Sequence, residues 1–235
     1  MSFFSTLDRR ILAIALPSIV SNITVPLLGL VDVAVTGHMG SDGVGTDSAL
    51  PASYYVGAIA VGGMLFNIIY WMFGFLRMGT GGETAQAWGR RDLDGVVLLL
   101  VRNLLLALVL ALVLMIASPF IRDVVLWYIA PEAEVASLAR TYYNICIWGA
   151  IPALGLFAMN GWYIGMQNSR FPMLVAIGQN LLNIACSIFF VYALGMRIEG
   201  VALGTLLAQW VAFAIALLLC LRYYRRLWKR KSFRI

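Results

Sequence analysis

Six uninterrupted apolar runs constrain this chain more than any other feature. They cover residues 11–38, 54–76, 96–121, 142–166, 171–196 and 201–221. A helix rises about 1.5 Å per residue, so about 20 apolar residues cross a hydrocarbon core of roughly 30 Å. Every run is long enough. The runs are continuous rather than alternating, which argues against the strands of a membrane barrel. An open sheet could not satisfy its edge groups in oil. The expected fold is an all-α integral membrane protein with six transmembrane helices. Composition agrees, because 62% of the 235 residues are hydrophobic and only 12% are charged, where soluble domains carry roughly 25% charge. A large soluble core would still need a polar exterior. Lipid is the implied solvent.

The connections between runs are short. Residues 39–53 are rich in Gly and Asp, residues 77–95 carry Gly79, Gly81 and Gly82, and residues 167–170 form a tight turn. Residues 123–141 read as a short helix at the membrane surface, restarted at Pro131. The organisation is one membrane domain over residues 1–221 and a basic tail over 222–235. The first run, at 28 residues, exceeds the roughly 7–15 of a signal peptide, and no small-residue cleavage pattern follows it. Lysine and arginine set the orientation. With the N-terminus inside, the cytoplasmic face receives Arg9, Arg10, Arg77, Arg90, Arg91, Arg170 and the seven tail cations, thirteen in all. The outer face receives Arg122, Arg140 and Arg197, only three. Both termini are expected in the cytoplasm.

The net charge of +6 is concentrated in the tail, directly after an apolar run. That position suits attraction to anionic lipid rather than to nucleic acid. Cys146, Cys186 and Cys220 lie inside apolar runs without zinc-ligand spacing, so they read as small buried side chains. His38, the only histidine, stands at a helix end as an interfacial residue. No phosphate-binding loop, metal spacing or nucleophile elbow is present in the sequence. An enzyme is not expected, and neither is a cofactor.

One residue does not belong in this solvent. Ten of the eleven acidic residues lie in connections or at termini, but Asp32 sits within the first apolar run. An ionised carboxylate in lipid costs about 2.5–3.5 kcal/mol on the insertion scale. It stands six residues before the outer end of the run, about 9 Å deep by helix rise. Removal from water penalises the charged form, which suits the group to exchange a proton. Deprotonated, it is a hard oxygen ligand for a small cation. The competing reading is a structural partner for a buried donor such as Arg102, which lies toward the opposite face.

Pro17 and Pro26 occupy the same run. Each removes a backbone hydrogen bond and tends to kink a helix, so they are candidate hinges. Other polar residues within runs include Asn67, Asn144, Asn160, Gln179, Asn180, Asn183, Ser187, Thr205 and Gln209. Taken singly, such residues join helices more often than they bind ligands. Gly161–Gly165 and Gly200–Gly204 match the GxxxG spacing of close helix contact.

The stretches Gly29–Gly40, Phe73–Gln86, Gly161–Pro172 and Asn183–Thr205 resemble the multidrug and toxic compound extrusion (MATE) family, in its DNA-damage-inducible protein F branch, from about Asp8 to Leu221. The resemblance implies twelve helices in two six-helix lobes, with a substrate cleft between them. It implies export of hydrophobic or cationic organic compounds across the inner membrane in exchange for H⁺ or Na⁺. This chain would be the N-terminal lobe, completed by a missing C-terminal lobe or by a second copy of itself. Asp32 matches the coupling carboxylate, and Asn160, Asn183 and Thr205 match polar residues of the same pocket. Ser187 stands where some members carry a second carboxylate, which favours H⁺ over Na⁺. Pro17 falls where the family's first helix bends. Two alternatives are a lipid-linked oligosaccharide flippase of the same superfamily and a non-transporting assembly partner. The flippase needs a wide basic cavity, whereas Arg102 is the only deep cation.

Overall fold

The computed structural model describes residues 19, 30–31, 33–37 and 50–231. All regular structure among them is helical: α1 (Ala52–Met72), α2 (Gly74–Gly89), α3 (Leu93–Ile129), α4 (Ala133–Cys146), α5 (Ala150–Gly165), α6 (Arg170–Ile188) and α7 (Ile198–Lys231). A 3₁₀ turn over Ile147–Gly149 joins α4 to α5, and a π-helical turn over Phe189–Ala193 extends α6. Five stretches are long and apolar enough to cross a membrane: Ala52–Gly89, Leu93–Ile129, Ala133–Gly165, Arg170–Ala193 and Ile198–Tyr223.

Local chemistry explains the breaks. At the start of α3 the Asp92 carboxylate accepts a hydrogen bond from the Gly95 N–H at 2.9 Å, and Asp94 occupies the first turn. Both satisfy the positive end of the helix. At its other end Ala130 adopts φ 46° and donates its N–H to the Leu126 carbonyl at 2.9 Å. Pro131 follows and cannot continue the helix. Between α1 and α2 a single residue, Phe73, interrupts the path.

Two expectations about connections are corrected. Residues 77–89, expected as part of a loop, are helical in α2. Residues 123–141 are not a separate surface helix, because 123–129 complete α3 and 133–141 begin α4. Glycine and aspartate mark loops in water, where an open backbone finds partners. In α2 Gly81, with Thr80 and Thr84, lies against Gly161 and Gly165 of α5, while a Cβ on Gly79 or Gly82 would meet nothing within 4 Å.

Helix α5 is the central element. Its stretch is 72% buried inside the protein, against 22–28% for the other four. The outer helices present their large side chains outward, with Ile116 81% and Phe120 75% exposed. An exterior this apolar is stable only against lipid. The most extensive helix pairs are α2 with α5 and α6 with α7. Glycine makes both possible. A Cβ on Gly161 would collide with the Arg77 carbonyl of α2, and one on Gly165 would lie 2.7 Å from the Gly81 carbonyl and the Thr84 Cβ. On the other pair, a Cβ on Gly204 would lie 2.7 Å from Ser187 Oγ and 2.9 Å from its backbone nitrogen.

Gly165→Ala should therefore destabilise the protein by about 1–3 kcal/mol, the usual cost of overpacking. Gly178→Ala, where the added methyl meets nothing within 4 Å, should not. Unfolding in detergent, followed by circular dichroism, separates the two. Equal midpoints would mean that the α2–α5 contact does not set stability.

Candidate functional site

The polar residues of α6 and α7 form one connected group. Asn183 lies 13 residues into α6 and Thr205 seven residues into α7, which places Thr205 about 10 Å from the start of α7 by helix rise. The Asn183 amide donates to Thr205 Oγ1 at 2.9 Å. The Thr205 hydroxyl donates to the Val201 carbonyl at 3.1 Å. Ser187, one turn beyond Asn183, donates to Asn183 Oδ1 at 3.4 Å. Asn183 and Ser187 are buried, at 2% and 0% exposure. The close approach of Gly204 to Ser187 brings the two helices near enough for the amide and hydroxyl to meet. All oxygens of the group are neutral.

Asn160 is not part of this chain of hydrogen bonds. It projects from α5 toward a cavity of about 500 Å³ bounded by α2, α5 and the start of α6, with Arg77, Gly81, Ser169 and Met173 among its walls. Asn160 Oδ1 is buried there without a hydrogen-bond partner. None of Asn183, Ser187 and Thr205 lines that cavity. A second cavity of about 500 Å³ adjoins it and shares Arg77 and Met78, with Asn67, Tyr70 and Phe157 on its walls. The structure thus brings together three of the anticipated site residues and sets the fourth in a neighbouring hollow.

Asp32, Pro17 and Pro26 lie outside the described residues. The turn after Asp32 is described: residues 33–37 are helical, and Val35 is buried within the same core cluster as Tyr55 and Ile198. The Thr36 hydroxyl, fully buried, donates to the Val33 carbonyl at 3.1 Å. Among the described residues no group of His, Cys, Asp and Glu could hold a metal ion.

Sequence reasoning missed the place of Arg77 and named Gln209 only among the polar residues that join helices. Arg77 counted as a loop cation but lines both cavities. Its signal was the small pair Thr80 and Gly81 after it, which packs against Gly161 once α2 is helical. Gln209 Oε1 is buried without a partner and fills the space that a Cβ on Gly149 would take.

An apolar exterior, a buried central helix and a polar seam between two outer helices define a multi-pass helical membrane protein. Residues 17–189 match the MatE family, and the chain belongs to that family. It is 36% identical to DNA damage-inducible protein F of Escherichia coli (strain K12) over 220 residues, covering 93% of this chain and 45% of that protein. It is 29% identical to Multidrug and toxin extrusion protein 1 of Oryctolagus cuniculus over 219 residues, covering 92% of this chain and 36% of that protein. Among solved structures, an outward-facing multidrug resistance MATE family transporter of the MOP superfamily superposes with a TM-score of 0.76 at 24% identity, over 88% of this chain and 43% of that one. The chain spans less than half the length of these relatives.

Thr205→Val keeps the shape but removes the acceptor of the buried Asn183 amide. The expected loss is about 0.6–1.7 kcal/mol, the range for hydrogen bonds between membrane helices. Thr205→Ser, which keeps the hydroxyl, should unfold in detergent close to the parent chain. Indistinguishable midpoints for Val and Ser would show that the bond contributes nothing.

Proposed function

We propose that this chain forms one lobe of a secondary active exporter that expels hydrophobic or cationic organic compounds in exchange for a cation, with H⁺ favoured over Na⁺. Asp32 carries the exchanged proton, and Asn183, Ser187, Thr205 and Asn160 shape the polar surroundings. Pro17 and Pro26 let the first helix bend. The observation that carries this reading is the isolation of Asp32, the one carboxylate of eleven that falls inside an apolar run. Family membership and the relatives' names as extrusion proteins support it.

The preference for H⁺ rests on charge. Hard cations are held by several oxygens, carboxylates prominent among them, and Ser187 contributes a hydroxyl at a position closed in by Gly204. A proton needs only one carboxylate. Arg102 is exposed on α3, so it builds no deep basic cavity of the kind a flippase would need. Transport by alternating access requires a second lobe to rock against. That partner is a C-terminal lobe or a second copy of this chain.

In proteoliposomes that hold this lobe with its partner, an imposed pH gradient should drive export of a cationic dye. Asp32→Asn should reduce that export to background while leaving the unfolding midpoint unchanged. A sodium gradient alone should drive none. Export by the Asn variant at the parental rate would remove Asp32 from the mechanism, and export driven by sodium would reverse the choice of ion.

A further inference from the structure

Helix α7 runs for 34 residues, from Ile198 to Lys231. That is about 51 Å at 1.5 Å per residue, well beyond a hydrocarbon core of roughly 30 Å. The apolar run ends at Leu221, so the excess length lies at the C-terminal end, on the side that the lysine and arginine count assigns to the cytoplasm. We propose that this continuation of α7 binds anionic phospholipid headgroups on one fixed face.

The phase of that face is set by aromatic packing. Tyr223 closes a ring of four side chains. Its centroid lies 6.4 Å from that of Trp162 and 6.2 Å from that of Phe171, and both approaches are edge-to-face. Tyr163 completes the circuit, 5.2 Å from Trp162 and 5.4 Å from Phe171. Two further bonds tie the same ring to its neighbours. The Trp162 indole donates to the Val96 carbonyl at 2.8 Å, and the Tyr163 hydroxyl donates to the Ala216 carbonyl at 2.7 Å, about two turns before Tyr223 in α7. Position 223 therefore points into the lobe, and the helix beyond it cannot rotate freely.

Helical advance is about 100° per residue. With position 223 directed inward, positions 222, 225, 226, 229 and 230 fall within an arc of about 140° to one side of it. All five are Arg or Lys. Positions 223, 224, 227 and 228 occupy the other side, and they are Tyr, Tyr, Leu and Trp. Arg222 and Arg225 are exposed. Through position 230 one stripe is cationic and the other apolar or aromatic; Lys231, the last helical residue, falls on the second side.

The depth fits phospholipid. Headgroup layers add about 5–7 Å to each side of the core, which a helix crosses in about four residues. Positions 222, 225 and 226 therefore stand at phosphate depth, and 229 and 230 stand one turn further out. Guanidinium groups bind phosphate through two parallel hydrogen bonds. The cytoplasmic leaflet supplies the negative surface that such clusters seek. This surface is separate from the polar seam of α6 and α7, and it holds whether or not the lobe transports.

The test uses the full chain in nanodiscs, with retention of phosphatidylglycerol against phosphatidylcholine read by native mass spectrometry. The parent should retain phosphatidylglycerol preferentially, and added salt should weaken it. Each cation near the surface is worth about fivefold, so R222Q/R225Q/K229Q should lose on the order of a hundredfold. A second variant, Y224R/R225Q/W228R/K229Q, keeps the charge but moves two cations to the opposite face. It should bind about as weakly as R225Q/K229Q. Parental binding by the charge-conserving variant would reduce the surface to diffuse attraction and overturn the proposal. So would equal retention of the two lipids by the parent. If R222Q/R225Q/K229Q keeps its lipid but no longer self-associates, the face is a protein interface and the proposal fails.

Discussion

Close approach of backbones is the constraint on which this structure depends. In lipid, apolar side chains gain little by meeting each other, because the solvent is as oily as they are. Association must come from tight van der Waals fit, and that requires small residues where helices cross. Two such crossings organise the lobe. Gly161 and Gly165 let α5 lie against Thr80, Gly81 and Thr84 of α2, and Gly204 lets α7 lie against Ser187 of α6. The central burial of α5 follows from the first, since a helix with glycine on one face and Trp162 and Tyr163 near one end can be enclosed on several sides.

The second crossing places the polar chemistry. An asparagine amide reaches less far than a lysine, so Asn183 can meet Thr205 only if the two helix axes come close. Gly204 stands immediately before Thr205 and faces the backbone of Ser187. The residue that permits the contact and the residue that makes it are therefore neighbours in sequence. The same closeness restricts what Ser187 can be. A longer side chain at 187 would push α7 away and separate the amide from its acceptor.

Much of the architecture was legible in the sequence because hydropathy in lipid has no competing signal. Apolar runs mark helices whatever their packing. The ends of helices were less legible. Residues 77–89 carry glycine and charge, which in water would mark a loop, yet they are helical, with Thr80, Gly81 and Thr84 packed on α5. Residues 133–141 start a helix rather than lie on a surface because Pro131 ends one path and begins the next. At the site, the joining of Asn183 and Thr205 followed from the family's motif order, and the GxxxG spacing foretold where helices touch. The separate position of Asn160 and the cavity role of Arg77 were not legible. Both depend on which face of a helix meets which neighbour, and uniformly apolar helices give no periodic signal for that choice.

The two ends of the described helices are held by different chemistry. At one end, Arg122 bonds Asp123 at 2.9 Å and Asn144 at 2.6 Å, which ties the end of α3 to α4. Arg197 donates to the Tyr55 hydroxyl at 3.1 Å, which ties the start of α7 to α1. At the opposite end the work is done by aromatic rings and by indole and phenol donors to backbone carbonyls of α3 and α7. Polar clamps suit an end that meets water, where side chains can remain hydrated. Aromatic clamps suit the membrane interface, where one edge of a ring is wet and the other is in oil. Shear within such a body would break contacts at both ends at once, whereas rotation of the whole body would break none of them.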